Sequence, residues 1–600
     1  MKFRWSPAPP QPLLAGQLAS RLKISPLLAQ CLVNRGLDEP VAIEQFLQPR
    51  LKNLADPFLL PNMAAAVARL FRAREQNEPL VIFGDYDVDG VTSTTLLLEV
   101  LRPLGWRVDF YLPNRMDEGY GLSADGVENC LKKYSASTDS SGATSQTTLL
   151  LAVDCGSTAV ETIASLRARG VDVIVLDHHQ VSNPAPEAVA LVNPQLARPQ
   201  DHETTRPRGF GPGGHVVSWS GGHELCSAGL AFKLAHAIVK RGRDTGLPGA
   251  AEYDLKPLLD LVALGTIADI VPLVGENRIL VSAGLERLSK TQRPGLVALK
   301  EVAQSPETIG AYEVGFQLAP RLNAAGRLET AEESLHLLLA SNLEEAMPLA
   351  LNLDSRNRER QNIEKTIVEE VRGVVRAKFN PQTDFIIVEG QLLWHIGVVG
   401  IVASRVLQEF YRPTLIIGGE GGEWRGSGRS IAGFDLAAAL RECGDLLRRH
   451  GGHAMAAGLS IAPENIDPLR QRLNEIARRS LKSEDLQPPL RLDAEVGLDE
   501  IALDSLAELD QLKPTGQGNP AVQFCARNVS HAKPLQRIGA DKRHVKMWVT
   551  DGSVTLEAVW WNGGGESLPV GTFDLAFVPQ VNEFNGRRAV QLKVLDWRAA

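Results

Sequence analysis

The sequence predicts a multidomain α/β protein whose largest domain is built on a parallel sheet, and three observations carry that prediction. Short apolar runs at PLVIF (79–83), VDFYL (108–112), TLLLAVD (148–154) and VDVIVLD (171–177) each give way to turn residues or a helical stretch. Such alternation implies parallel strands with helices on the sheet faces, and ligands then sit at the carboxyl ends of the strands. At 600 residues the chain exceeds what one hydrophobic core supports, so three or four domains are expected. From residue 485 onward the chain reads as strands with Gly and Pro turns, which suggests a small β-barrel.

In order along the chain, residues 1–55 form an N-terminal helical segment, in which LASRLKISPLLAQCLVNRG (18–36) has apolar residues at helical spacing and a Gly stop. Residues 56–340 hold the parallel-sheet domain. Two polar stretches, 135–147 and 201–223, lack periodicity and read as surface insertions. Residues 341–377 are helical and highly charged, as expected of a solvated bridge between domains. A second αβ unit occupies 378–484, with DFIIVEG, a helix around GIVASRVLQEF, and TLIIGG. The barrel takes 485–600.

The net charge of −8 argues against a uniformly basic coat for duplex DNA, although it does not report a local basic groove. No stretch approaches the roughly 18 apolar residues of a membrane span, and the N-terminus lacks an apolar signal core. The six cysteines are scattered without a CxxC pair, so they read as buried or idle thiols of a reducing cytoplasm.

The most informative stretch is VIFGDYDVDGVTSTTLL (81–97). Asp85, Asp87 and Asp89 alternate directly after an apolar strand, so in extended geometry all three carboxylates face one side. They converge only if a cation compensates their repulsion. An EF-hand is excluded, because its twelfth position is Leu96 rather than Glu and a strand rather than a helix precedes it. Further candidate ligands end other runs: Asp154, the trio Asp177-His178-His179, and Asp269 in DLVALGTIADIVPL (260–273). Each alone would be an ordinary turn or cap. Four such sites on one predicted sheet edge point instead to a metal centre. Mixed Asp and neutral His ligands suit Mn²⁺ or Mg²⁺ better than structural zinc. Two such ions roughly 4 Å apart activate water and stabilise phosphoryl oxygens.

GDYDVDG, AVDCG, LDHH and GTIADIVPL, in that order, resemble the signature blocks of the DHH phosphoesterase superfamily. YLPNRMDEGYGL, LVNPQ, CSAGLAFKLA, APRLNAAGRL, WHIGVVGIVASR, GSGRSIAGFDL, GGHAMAAG and LKPTGQGNPAVQF resemble its RecJ-type branch from about residue 20 onward. That resemblance implies a DHH catalytic domain, a connecting helix, a DHH-associated domain and an OB-like barrel. It implies a single-stranded-DNA-specific 5′→3′ exonuclease with two divalent cations, Mn²⁺ or Mg²⁺, at the base of a cleft. Asp87, Asp89 and Asp154 would be ligands with Asp154 the bridge, and His178 and Asp269 would complete the second ion. Asp177 and His179 would be catalytic, His179 contacting the scissile phosphate or assisting proton transfer. Many superfamily members carry a His where this chain has Phe83, so Asp85 would take over part of that ligand role.

Arg115, Arg321, Arg327, Ser427 and Arg429 resemble residues that grip the terminal phosphate and backbone, and Gly451, Gly452 and His453 offer a backbone anion nest, which otherwise reads as a tight strand–helix turn. Trp548, Trp560, Trp561 and Phe584, interleaved with Lys542, Arg543, Lys546, Arg587 and Arg588, suit base stacking beside a backbone track, with at least two of the aromatics expected in the barrel core. A RecQ-type helicase and a single-strand-binding protein are the implied partners. The competing enzymes of the superfamily act on oligoribonucleotides or cyclic dinucleotides and generally lack the long barrel. A non-catalytic DNA-binding protein on this scaffold should have lost metal ligands, which are all present here.

Overall fold

The computed structural model describes residues 3–114, 118–119, 121–135, 148–196, 224–328, 330–420 and 423–600. Arg115, insertion 201–223 and all but the first residue of insertion 135–147 lie outside the described residues.

Leu80–Gly84 (β1), Val108–Tyr111 (β2), Leu149–Val153 (β3), Asp172–Leu176 (β4) and Ala190–Val192 (β5) form a parallel sheet in the order β2-β1-β3-β4-β5. Gly84 is level with Val153, Val153 with Leu176, and Leu176 with Val192. Asp85, Asp154 and Asp177 therefore leave the same sheet edge. The central strands β1 and β3 are continuous apolar runs because both faces are covered. Ile82, Leu151, Val153 and Ile174 face the helices Val88–Leu101 (α1), Ser227–Thr245 (α2) and Leu259–Ala268 (α3). Val81, Phe83, Leu150 and Val175 face the opposite core.

The chain divides into two compact units, and their limits differ from the predicted domains. One comprises 10–357 with 503–522, the other 1–9, 358–502 and 523–600. Residues 10–55 thus belong to the parallel-sheet unit, while Arg4–Pro7 is a strand that pairs with Pro489–Leu492 in the second unit. Residues 503–522 leave the predicted barrel domain because of Arg278, on Gly275–Ser289 (α4). Its buried guanidinium donates to the carbonyls of Phe46, Gln511, Leu512, Lys513 and Pro514, and stacks 3.8 Å over the Phe46 ring. Asn519 Nδ2 adds bonds to the Leu512 and Pro514 carbonyls. Ala319–Leu328 (α5) lies across the start of α1, where Asn323 Oδ1 accepts from Val88 N at 3.1 Å.

Leu343–Lys378 (α6) runs from one unit into the other. It is less solvated than its charge predicts, since Ala346, Ala350 and Leu353 are buried in one core and Ile367, Val371 and Val375 in another. In the second unit Ile387–Leu392 (β6), Thr414–Glu420 (β7), Glu423–Arg429 (β8), Leu447–His453 (β9) and Ala456–Ile461 (β10) form a sheet ordered β9-β10-β8-β7-β6. Val399–Phe410 (α7) packs on it.

The barrel strands are Phe524–Ile538 (β11), His544–Thr550 (β12), Thr555–Trp560 (β13), Phe573–Phe584 (β14) and Arg587–Ala599 (β15). They run β11-β12-β13-β15-β14 and close through β14–β11, with β13 and β15 parallel, which is an OB-type barrel. Its core holds Phe524, Met547, Phe573 and Phe577. No described helix is long and apolar enough to cross a membrane.

Candidate metal centre and anion-binding face

After β1 the backbone does not stay extended. Asp87 caps α1, its Oδ1 accepting from Asp89 N at 2.9 Å and Gly90 N at 3.1 Å. The turn requires Gly90, whose Cβ would stand 2.5 Å from the Asp85 carbonyl oxygen. The three carboxylates therefore do not share one side, as strand alternation predicts, but divide. Asp85 and Asp87 converge with Asp154, while Asp89 converges with His178 and Asp269. A third group, Asp154 with His178 and His179, links the two. His178 Nε2 lies 3.5 Å from Asp154, 3.4 Å from Asp269 and 3.9 Å from Asp89. Asp154 is held at φ +65°, a left-handed conformation that an Asp tolerates better than most residues. Asp269 ends α3 rather than a strand, so its place came from helix packing on the sheet.

Phe83 is fully buried and stacks 5.4 Å from Tyr111 on the face away from α1. It is no ligand. Asp177 belongs to none of the three groups. It accepts from His178 N (2.8 Å), His179 N (3.1 Å), His179 Nδ1 (2.7 Å) and Ser157 N (3.0 Å). Its place is behind the histidines, where it orients them, and the predicted direct catalytic role has no geometry to support it.

The residue-level reading missed the start of α2. Ser227 N and Ala228 N donate to the two Asp89 oxygens at 2.7 and 2.8 Å, and Ser227 Oγ donates to Asp154 Oδ1 at 2.9 Å. A helix N-terminus is a natural partner for buried carboxylates. The available signal was CSAGLAFKLA, whose function no spacing argument could supply.

Burial and then the charge of Asp87 push the Asp89 carboxyl up to about 6, and burial and then Asp89 push Asp269 up to about 8. Asp154 rises well above the usual range for the same reasons, burial first and Asp89 next. Burial and then His179 lower His178 to about 4, so it is a neutral donor. For His179 burial is outweighed by the bond and charge of Asp177, which raise it to about 9. Burial would raise Asp177, but His179 and Ser157 hold it far below the usual carboxylate range. His178 Nε2 and Asp269 Oδ2 are buried without a hydrogen-bond partner. Repelling, desolvated oxygens with an orphaned neutral imidazole fit a pair of divalent cations of the Mn²⁺ or Mg²⁺ kind.

The second unit holds most of the residues predicted as anion contacts. Ser427, Gly458 and Gly451 lie in one cross-strand row, and Arg429, Ala456 and His453 in the row two residues on, so both rows share a sheet face. Arg429 Nη1 donates to Ser427 Oγ at 3.1 Å and to the Gly428 carbonyl at 2.8 Å. Gly451, Gly452, His453 and Gly458 are exposed. The GGH segment is the end of a β-hairpin, not a strand–helix turn or nest, because β10 returns antiparallel to β9. Arg321 is engaged in the other unit, donating to Asp354 Oδ1 at 2.9 Å and the Gln317 carbonyl at 2.7 Å, and Arg327 lies on the same helix α5.

In the barrel none of the four singled-out aromatics is core. Trp548 and Trp560 are half-buried, while Trp561 and Phe584 are exposed. Lys533 and Lys546 place their ammonium groups 5.3 and 5.2 Å from the Trp548 ring centre. Lys542, Arg543, Arg587 and Arg588 are exposed.

Comparison with known proteins covers all three regions. Residues 79–266 match the DHH family N-terminal domain, 383–479 the DHHA1 domain and 492–596 the RecJ OB domain. The single-stranded-DNA-specific exonuclease RecJ of Bacillus subtilis (strain 168) is 37% identical over 603 residues, 99% of this chain and 71% of the relative. That of Dickeya dadantii (strain 3937) is 35% identical over 92% of each chain. The crystal structure of RecJ from Thermus thermophilus in complex with Mn²⁺ superposes with a TM-score of 0.81 at 29% identity, covering 100% of this chain and 80% of the other.

Proposed function

Because this chain belongs to the RecJ family, we propose that it is a metal-dependent hydrolase degrading single-stranded DNA from the 5′ end to mononucleotides. The observation that carries this reading is the pair of ligand groups, Asp85-Asp87-Asp154 and Asp89-His178-Asp269, linked through Asp154 and His178. Those residues would hold two divalent cations, Mn²⁺ or Mg²⁺, with Asp154 between them. When bound, such a pair supplies an activated water and neutralises charge on the phosphoryl oxygens.

The chain's own residues do the rest. Ser227 and Ala228 fix both oxygens of Asp89, so that carboxylate cannot swing away during turnover. Asp177 orients His179 and keeps its imidazole protonated near neutral pH, ready to donate to a phosphate oxygen. Ser427 and Arg429, beside Gly451, Gly452 and His453, would take the 5′-phosphate and adjacent backbone, with Arg115 and Arg327 as further phosphate contacts. Arg429 presents a planar fork suited to phosphate, and the exposed glycines let the strand approach the backbone. Arg321, paired with Asp354, steadies α5 instead. The half-exposed tryptophans and basic residues of the barrel would stack bases and track the backbone.

The barrel also weighs against the short-substrate reading, since oligoribonucleotides or cyclic dinucleotides need no such surface. Six buried cysteines without a disulfide suit the reducing cytoplasm. There a RecQ-type helicase and a single-strand-binding protein would supply and present the strand during repair and recombination.

The test is degradation of an internally labelled single strand with its free end at 5′ or 3′, in Mn²⁺ or Mg²⁺ against EDTA, with a duplex control. Metal-dependent release of mononucleotides from the 5′ end, duplex spared, is the expected result. Hydrolysis of dinucleotides without attack on the polymer would replace this reading with the short-substrate one.

A further inference from the structure

Immediately after Asp269 the chain holds a residue whose backbone and side chain have opposed preferences. Asp269 is the C-cap of α3, and Ile270, the next residue, has φ +60°. Glycine dominates this left-handed position after a helix, with Asn the usual second choice. A β-branched side chain there is an outlier. Among the described residues Ile270 is the one β-branched side chain at positive φ.

Packing does not explain it, because Ile270 is 71% exposed. The conformation persists because both flanks are pinned. Asp269 N donates to the Gly265 carbonyl at 2.9 Å, and Leu273 N donates to the Gln517 carbonyl at 2.8 Å. Gly516 and Gly518 press on Leu273 and Pro272, where an added Cβ would come within 2.8 and 2.9 Å. Glycine or asparagine at 270 would satisfy the same backbone with less strain. Strain retained at an exposed apolar residue, one position from a candidate ligand, points to work done by the side chain.

We propose that Ile270 is a substrate-contact residue that packs against the deoxyribose of the nucleotide whose phosphate occupies the Asp269 centre. This rests on the single-stranded-DNA reading above. Adjacent Cα atoms are about 3.8 Å apart, so Ile270 stands next to a ligand of the centre that would take the phosphate, and the sugar carbons are the nearest apolar part of a nucleotide there. A hydrocarbon contact at the sugar carries no base preference. It favours the C2′ methylene of DNA and disfavours the 2′-hydroxyl of RNA, which would lose water without gaining a partner.

The experiment compares wild type with Ile270→Gly, Ile270→Asn and Ile270→Leu in the full chain. It measures melting temperature, Mn²⁺ affinity, strand degradation, and calorimetric binding of thymidine 5′-monophosphate against its ribose counterpart in Mn²⁺. Gly and Asn should keep or raise the melting temperature and keep Mn²⁺ affinity. They should bind the deoxynucleotide about tenfold more weakly, with the preference over the ribonucleotide collapsing, while Leu retains both. Strand degradation should fall in parallel with binding. Wild-type deoxynucleotide binding and preference in Gly and Asn would overturn the proposal, and so would a fall in their melting temperature, which would assign Ile270 to packing. A wild type that shows the deoxy preference, lost in Gly and Asn, yet degrades no strand would leave the contact standing and refute the exonuclease reading instead.

Discussion

At the metal centre the Asp89 and Asp154 carboxylates are 1% and 2% exposed and are held by the first residues of α2, whereas on the sheet of the second unit Gly451, His453 and Gly458 lie open to solvent. One site concentrates negative charge where water cannot screen it. The other spreads a guanidinium and bare backbone where water can. On the proposed function the difference follows from what each would do. Ligands to cations must keep their geometry through every turnover, so burial and fixed hydrogen bonds serve them. A surface that grips a polymer must release it after each cut, so its contacts are solvated and individually modest.

The widest separation between the two sites should appear on removing Asp154, the proposed shared ligand. Asp154→Asn keeps a residue suited to φ +65°, and Asp154→Ala removes the side chain altogether. Both should fold and lose hydrolysis by at least about a thousandfold, about 4 kcal/mol of barrier. Circular dichroism together with single-turnover assays checks this, and turnover near wild type would sink the binuclear assignment. Next in size is Arg429→Ala. It should lower kcat/KM on 5′-phosphorylated strands by about ten- to a hundredfold, the range of a lost charged hydrogen bond. Mn²⁺ affinity should not change. If the variant still prefers 5′-phosphate over 5′-hydroxyl ends as wild type does, Arg429 is not the end-binding residue.

The same contrast explains how much the sequence disclosed. The sheet was legible because β1 and β3 are uninterrupted apolar runs and β4 is one after Asp172, and their register put Asp85, Asp154 and Asp177 on one edge. The division of the three acids was not, since period-2 reasoning applies to a strand and Asp87 ends the strand by capping α1. Asp177 looked like a ligand from position alone. Only its hydrogen bonds show that Oδ1 accepts three from the histidines and Oδ2 one from Ser157 N. The GGH segment shares a sheet face with Ser427, but its hairpin shape was not legible, because a hairpin and a strand–helix turn share glycine signals. Residues 503–522 were assigned to the barrel because LKPTGQGNP resembles its opening, and the long-range hold of Arg278 on the 511–514 carbonyls has no local signature.

A third prediction concerns the cation-free protein and its response to pH. Asp269 at about 8 and His179 at about 9 both lie above their unfolded values of 3.8 and 6.5. Between pH 6.5 and 8 the native state therefore binds more protons than the unfolded chain, and stability falls as pH rises. The opposing group, His178 at about 4, acts only below its unfolded value of 6.5 and is silent in this window. Differential scanning calorimetry in EDTA should show a melting temperature lower by a few degrees at pH 8 than at pH 6.5, at about 2–4 °C per kcal/mol for a unit of this size. Mn²⁺ should shrink the difference to the part that His179 contributes, because the cation replaces the Asp269 proton but not the one that Asp177 holds on His179. An EDTA-treated protein that is more stable at pH 8 would show that the carboxylates do not repel as their burial requires.

The smallest expected effect lies in the barrel and sharpens the solvated side of the comparison. Trp561 is 47% exposed, with its edge against His544 at 4.8 Å, whereas Trp548 is half-buried between Lys533 and Lys546. If exposed rings stack bases, Trp561→Ala should weaken single-strand binding by about fivefold or more, the low end of base–aromatic stacking at about 1 kcal/mol, with the melting temperature unchanged. Trp548→Ala should also cost stability, because two cations lose the ring they sit over. Fluorescence anisotropy with a labelled oligonucleotide in Ca²⁺ separates binding from cleavage. Equal affinity in Trp561→Ala and wild type would mean that the strand passes this barrel on its charges alone. The contact face would then be redrawn around Lys542, Arg543, Arg587 and Arg588, whose side chains are exposed and whose removal should flatten the salt dependence of binding.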